Sequence, residues 1–310
     1  MHRSIICITL NPSIDVTLWT DGLHYDKTNR IVYETRGVGG KGINVSRVAH
    51  SFGMQTLCLS VAGKDNCSEF AGYLNQENLK YELIKIDGAV RENLTLRCDE
   101  QTIKLNRKGP ELSAMMINAL MELIKCRVSA GDIVVFAGSL PVGFPKEYYI
   151  ELILAVKNIG ALVAIDCDIL NFDDYKKVSP WLIKPNIHEL RNIVNVKGDS
   201  VNDIADSADM LCRGGVQNVL VSLGGSGMVF VSNKKRIRAV VPKIDVKSTV
   251  GSGDSSLAGF IIGYIKDYAT IKCVGLAAAC GTACAMKDGT MLADRKSALK
   301  ILDDIVLSEF

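Results

Sequence analysis

The chain has 310 residues, 48% of them hydrophobic and 23% charged, with 27 glycines and 7 prolines, a composition that excludes disorder as its main state. Its 36 lysines and arginines against 34 aspartates and glutamates leave a formal charge of +2, too balanced for a nucleic-acid binder relying on bulk charge. Any anionic ligand must be held locally. In chain order, the apolar run at 5–10 stops at Asn11-Pro12 and reads as a buried strand. A helix follows the glycines at 39–42, because Val45, Val48, Ala49 and Phe52 recur at helical spacing and Gly53 is a C-terminal stop. A strand at 56–61, a helix through 70–74 and a strand at 81–86 come next. Leu112, Met115, Met116, Ala119, Leu120, Leu123 and Ile124 form an amphipathic stripe.

From Gly131 onward the alternation is regular. Strands are expected at 133–137, 161–166, 181–184, 218–222 and 228–231, with helices at 148–158, 187–194 and 201–213. An extended stretch at 236–246 precedes helices at 255–266, 271–286 and 296–307. Apolar strands separated by helices predict an α/β fold with a mostly parallel sheet covered on both faces, and ligands at the strands' carboxyl ends. Segments 16–34 and 93–106 alternate polar and apolar residues and read as a flap, one small antiparallel sheet outside the main layer. The 310 residues are read as one domain carrying that flap.

The ten cysteines include no Cys-x-x-Cys pair, and the four histidines supply no zinc pattern, so reduced, mostly buried thiols in a cytoplasmic protein are expected. No apolar run approaches the roughly 18 residues of a membrane span, and the N-terminal run is too short for a signal peptide.

The strongest chemical signal is Thr249-Val250-Gly251-Ser252-Gly253-Asp254-Ser255-Ser256, between an extended stretch and an apolar helix. Gly251 and Gly253 allow successive N–H groups to converge where the helix N-terminus adds positive charge, a nest suited to a transferring phosphoryl group. Asp254 is then either a base that takes a proton from an attacking hydroxyl or simply a helix cap, and spacing leaves both open. Gly37-Val38-Gly39-Gly40-Lys41-Gly42 satisfies the dinucleotide pattern literally, but it follows a weak, polar strand signal and not the first buried strand. A dinucleotide-dependent oxidoreductase is the remote alternative. Walker A fails because Gly42 follows Lys41. Asp15, just beyond a strand end, suits two sugar hydroxyls, and Arg91 suits a phosphate. Asn186 and Glu189 read as a capping box or as groups near Mg²⁺-bound water.

In this order, Asn11-Pro12-Ser13-Ile14-Asp15, Gly39-Gly40-Lys41-Gly42-Ile43-Asn44-Val45, Ala137-Gly138-Ser139-Leu140-Pro141, Lys184-Pro185-Asn186 with Glu189, Val221-Ser222-Leu223-Gly224 and the Thr249 to Ser255 segment resemble the ribokinase-like sugar kinases of the phosphofructokinase B family. The resemblance spans essentially the whole chain. With Gly109-Pro110-Glu111, it leans toward the branch acting on ketohexose phosphates. It implies a three-layer α/β/α fold and ATP-dependent phosphorylation, with fructose 1-phosphate going to fructose 1,6-bisphosphate as the expected reaction and tagatose 6-phosphate as the alternative substrate.

On that resemblance Asp254 is the base, and the amides of Gly251, Ser252 and Gly253 hold the charge on the transferring group. Asp15, Gly39, Gly40 and Asn44 hold sugar hydroxyls, with Lys41 and Arg91 near the existing phosphate. ATP lies along Lys184, Asn186, Ser222, Leu223, Gly224, Gly225, Ser226 and Gly227, its base against Ala279 and Ala283. Mg²⁺ is held by ATP and water, with Asn186 and Glu189 behind it, and the flap segments close over the sugar and pair two subunits into a homodimer. Two departures stand out. Val142 replaces a common second proline, and Asp166-Cys167-Asp168-Ile169 puts carboxylates where the branch has a small Ser/Gly turn.

Overall fold

The structure, a computed structural model, describes residues 3–98 and 101–310; positions 99 and 100, inside the expected flap segment 93–106, lie outside the described residues. The chain runs β1 (Ile5–Thr9), β2 (Ser13–Trp19), β3 (Tyr33–Gly39), α1 (Lys41–Ser51), β4 (Thr56–Gly63), α2 (Cys67–Gln76), β5 (Tyr81–Ile86), β6 (Arg91–Cys98) and β7 (Gln101–Asn106). Then come α3 (Ala114–Arg127), β8 (Ile133–Ala137), α4 (Lys146–Asn158), β9 (Leu162–Asp166), α5 (Phe172–Val178), β10 (Leu182–Ile183), α6 (Ile187–Ile193) and α7 (Val201–Arg213). The rest is β11 (Asn218–Ser222), β12 (Met228–Ser232), β13 (Lys235–Val240), α8 (Ser252–Ile265), α9 (Thr270–Ala285), α10 (Arg295–Leu302) and β14 (Val306–Glu309).

The main sheet has ten strands in the order β14-β13-β12-β11-β10-β9-β8-β1-β4-β5. From β11 to β5 every neighbour is parallel, while β12, β13 and β14 extend the sheet antiparallel. Both faces are covered, and the strand period sorts the core. Ile6 and Ile8 of β1 join the apolar layer under α3, α4 and α7, whereas Ile5 and Cys7 join the layer under α1, α8 and α9. This is the expected ribokinase-like α/β architecture.

A second sheet, β3-β2-β6-β7, stands apart. Its two antiparallel pairs, β2 with β3 and β6 with β7, are joined through a parallel β2–β6 contact. Ile14, Val16 and Val38 on one face pack against Phe70 and Leu74 of α2. The opposite face carries Ser13, Asp15, Arg91 and Asn93, since Ser13 pairs with Arg91 and Asp15 with Asn93.

Two local expectations need correction, and one helix was not foreseen. The final helix stops at Leu302, short of 307, because a turn at Asp303 and Asp304 releases the chain into β14, which pairs with β13. Residues 172–178, unassigned in the sequence, form α5 behind an Asn171/Asp174 capping box. The strand expected at 16–34 breaks after Trp19, and the chain re-enters the small sheet only at Tyr33. Among the described residues no helix is long and apolar enough to cross a membrane.

Candidate active site

The carboxyl ends of β1, β8, β9, β10 and β11 open into one cleft of about 1310 Å³, roofed on one side by the small sheet. At its centre is the start of α8. Gly251 occupies the N-cap in the left-handed region (φ 77°), and a Cβ there would lie 2.3 Å from Leu292 Cδ2. A Cβ on Gly253 would lie 3.0 Å from Lys184 Nζ, so the bare backbone lets that ammonium approach the helix N-terminus. The first-turn N–H groups of α8, free of any side-chain cap, line the cleft with the helix dipole behind them.

Asp254 is in that first turn yet caps nothing. It is 6% exposed, and its Oδ2 accepts a 2.8 Å hydrogen bond from Asn44 Nδ2. Burial, reinforced by the charge of Asp166, pushes its carboxyl up to about 6, against the opposing pull of Asn44, Lys41 and Lys184. The structure shows no capping hydrogen bond from it: the carboxylate is enclosed and lines the cleft.

Asp166 ends β9, buried between two ammoniums, with Lys41 Nζ 3.0 Å from Oδ1 and Lys184 Nζ 3.2 Å from Oδ2. Burial pulls its carboxyl upward, but the two lysines outweigh that and hold it below the usual range. Burial pulls Lys41 downward, but Asp166, with Asp254 and Glu189 adding to it, holds the ammonium above its ordinary value. Lys41, expected beside the sugar's phosphate, thus rests at the junction of Asp166, Asp254 and Glu189. The Asp166 carboxylate noted as a departure is the counterion of both lysines.

On the small-sheet side, Asp15 Oδ1 accepts from Ser13 Oγ at 2.8 Å and from Asn93 Nδ2 at 3.2 Å. Burial raises its carboxyl despite those bonds and the nearby Arg91 charge. Gly39 supports Asp15 without lining the cleft, since a Cβ there would sit 2.3 Å from the Asp15 carboxylate. Gly40, Asn44 and Arg91 do line it, and Arg91 Nε is enclosed without a hydrogen-bond partner. Asn11, unassigned in the sequence reading, donates to Ser139 Oγ (3.2 Å) and the Leu140 carbonyl (3.1 Å) on the cleft floor. The Asn-Pro turn and the Gly-Ser-Leu-Pro segment were its only signals, with no hint of contact between them.

At the other end, Asn186 and Glu189 form a complete capping box. Asn186 Oδ1 accepts from the amides of His188 (2.8 Å) and Glu189 (2.9 Å), and Glu189 Oε2 accepts from the Asn186 amide at 2.8 Å. Both still face the cleft, and Oε1 of Glu189 is not used by the box. Among the described residues no group of three or more His, Cys, Asp or Glu side chains forms a metal cage. The Glu189 carboxylate oxygen that the box leaves unused is an oxygen donor of the kind a hydrated Mg²⁺ takes.

Lys184, Ser222, Leu223, Gly224, Gly225 and Gly227 line the same end. Ser226 turns away, and its carbonyl accepts from Arg238 Nη2 at 2.8 Å. Ala279 and Ala283 are buried in the core under α9; the cleft wall is made instead by Ala278, Gly281, Thr282 and Ala285. α9 is apolar nearly all round, so no periodicity in the sequence marks which stripe meets the cleft.

A nest of amides, an enclosed carboxylate and paired lysines at strand ends define a phosphotransferase acting on an alcohol. The profile of the pfkB family carbohydrate kinases matches residues 3–296, and the chain belongs to that family. It is 31% identical over 284 residues to a 1-phosphofructokinase of Bacillus subtilis (strain 168), covering 92% of this chain and 93% of the relative. It is 29% identical over 293 residues to a tagatose-6-phosphate kinase of Staphylococcus epidermidis, covering 92% and 93%. Phosphofructokinase-2 from Escherichia coli, solved with substrates and products, superposes with a TM-score of 0.90 at 26% identity over 97% of this chain and 99% of that one. The protein is a carbohydrate kinase.

Proposed function

We propose that the chain phosphorylates a ketohexose phosphate with ATP, taking fructose 1-phosphate to fructose 1,6-bisphosphate. The observation that carries this is the enclosed Asp254 carboxylate, bonded to Asn44 of the sugar side and set in the first turn of the amide nest. Asp15 and Asn44 accept and donate hydrogen bonds to the sugar hydroxyls, and Arg91 faces the phosphate the sugar already bears. Asp254 takes the proton of the attacking hydroxyl as the oxygen reaches phosphorus. The amides of Gly251, Ser252 and Gly253 meet the charge on the transferring group, and Lys41 and Lys184 approach it from Asp166. Mg²⁺ on the nucleotide supplies further charge neutralisation. Asn186 and Glu189 hold its water, and Ser222 with the glycines at 224, 225 and 227 follow the phosphates.

The small sheet is a lid of the single domain, and its closure excludes water from the transfer. Tyr33 and Leu105 are exposed on it, and Tyr25, Ile31 and Val32 on the connection between β2 and β3, which supports a homodimer through the lid. Eight buried cysteine thiols, among them Cys7, Cys167 and Cys280, support a reducing, cytoplasmic setting.

ADP release measured over fructose 1-phosphate, tagatose 6-phosphate, fructose 6-phosphate and unphosphorylated sugars tests the reading. Fructose 1-phosphate should give the highest kcat/KM. A higher value for tagatose 6-phosphate transfers the assignment to that substrate, and activity confined to unphosphorylated sugars removes the phosphate role of Arg91.

A further inference from the structure

Behind the turn that follows β11 lies a second cavity, of about 310 Å³, at the lower end of small-molecule sites. Ile187 of α6 and Leu223 of the turn face both it and the main cleft, so the two spaces share a wall. With Val201 and Ile204 of α7 they line the cavity with apolar surface, and its polar groups are Arg191, Asp199, Ser226 and Arg238. Arg236, two residues before Arg238 on β13, has Asp206 (2.7 Å) and Asp209 (3.7 Å) as carboxylate partners. Arg238 has none among the described residues: its Nη2 donates to the Ser226 carbonyl at 2.8 Å, and its Nη1 is enclosed without an acceptor. A half-buried guanidinium lacking a counter-charge is costly, and an anion in the cavity it lines would satisfy it. Arg191 is paired with Asp199, whose side chain is 87% exposed. Such surface pairs contribute little, so Arg191 can exchange that carboxylate for a bound anion.

The Arg238–Ser226 bond ties this cavity to the nucleotide end of the cleft. Ser226 ends a single 3₁₀ turn in which its amide donates to the Leu223 carbonyl and the Gly227 amide to that of Gly224. A Cβ on Gly224 or Gly225 would meet nothing within 4 Å, so this part of the turn stands clear of the protein body and Arg238 is a side-chain brace on it. Because Nη1 is enclosed, the guanidinium must turn to offer two N–H groups to an anion, and the Ser226 bond is then lost.

We propose that this second cavity binds a small organic anion, its phosphate or carboxylate head held by Arg191 and Arg238 and its short apolar stem against Val201 and Ile204, and that binding releases the turn and weakens nucleotide affinity. Occupancy of the cavity and a braced turn are alternatives, which makes the coupling negative and reciprocal. Only the effect on nucleotide rests on the kinase reading above. The probes are butyl phosphate and pentanoate, compared with inorganic phosphate and acetate, which lack the stem. By calorimetry the wild-type chain should bind one more molecule of the stemmed probe than Arg191→Gln does. At that extra site the stem should improve affinity at least about tenfold, and the tighter of the two stemmed probes identifies the head group. In NMR spectra the amides of Gly224 to Gly227 should move with the probe in wild type and stay in place in Arg191→Gln. KM for MgATP should rise at least about fivefold at saturating probe, again only with Arg191 present, and Arg238→Gln should raise it without any probe. Equal stoichiometry in the two proteins, affinity indifferent to the stem, unmoved turn amides, or an unmoved KM in an active enzyme overturns the proposal. If no sugar phosphate yields ADP from ATP, the kinase reading fails on its own, and stoichiometry and the turn amides still decide the site.

Discussion

Replacing Asp254 with Asn removes one thing and keeps nearly everything else. The side chain is 6% exposed, and the amide has the same shape and an oxygen that still accepts from Asn44 Nδ2, so the pocket does not collapse. The amide cannot take a proton. Loss of a positioned base costs roughly 10²- to 10⁴-fold in kcat, or about 3 to 5 kcal/mol of barrier, while KM for nucleotide and sugar changes little. The wild-type pH profile carries the same signature. With the carboxyl raised from 3.8 to about 6, the working form is the deprotonated one, so log kcat/KM should climb with unit slope below about 6 and level off above it. One pH unit below that value only about a tenth of the sites carry the base, and the rate falls about tenfold. The linked effect on folding has the opposite sign. A carboxylate whose folded pKa is raised contributes stability below its unfolded value and loses it as pH rises through the folded one. The Asn variant should therefore melt no lower than wild type at pH 8. The assay is coupled ADP release from pH 4.5 to 9, with thermal melts alongside. Turnover of Asp254→Asn within tenfold of wild type, or an acid limb that survives in it, would refute the assignment.

Other perturbations separate the neighbouring roles. Lys41→Met removes an ammonium that pulls Asp254 downward, so the residual activity should show its acid limb at higher pH than wild type, with kcat more affected than KM for the sugar, read from the same pH series. Gly39→Ala forces a Cβ to within 2.3 Å of the Asp15 carboxylate and should raise KM for the sugar phosphate at least tenfold, leaving MgADP affinity by calorimetry unchanged. Arg91→Met should abolish the preference for phosphorylated over unphosphorylated sugars, measured as a ratio of kcat/KM values. If the proposed lid-to-lid dimer forms, Val32→Ser with Tyr33→Ser removes exposed apolar area from it and should shift sedimentation toward monomer.

Most strand ends were legible because the central parallel strands are apolar runs and motif residues close them: Asp166 at the end of β9, Lys184 after β10, Ser222 at the end of β11; Asp15, expected just beyond β1, lies instead within β2 of the small sheet. Periodicity failed where the environment is apolar on all sides. α9 buries nearly its whole circumference, so Ala279 and Ala283 could not be told from Ala278 and Thr282 without knowing how closely α8 approaches. Glycines set that approach: a Cβ on Gly259 would come within 2.6 Å of the Leu276 carbonyl. Asp254 shows the other limit. A first-turn carboxylate looks the same in sequence whether it caps its helix or faces a cleft, and what holds Asp254 in the cleft is an amide on Asn44, 210 positions away.

Near-neutral overall charge also takes on a definite meaning at the centre of the cleft. Asp166 lets two lysines be stored side by side in a nearly buried place without repelling each other apart, and the cost of enclosing three charges is lowered by their pairing. The two ammoniums differ in freedom: the Lys41 side chain is 38% exposed and that of Lys184 is 4% exposed. Lys184 is therefore held in place beside Gly253 at the start of α8. In the proposed reaction Lys41, the first residue of α1, would leave Asp166 for an incoming phosphoryl oxygen, and the positive charge of the site would then depend on ligand instead of being spread over the surface.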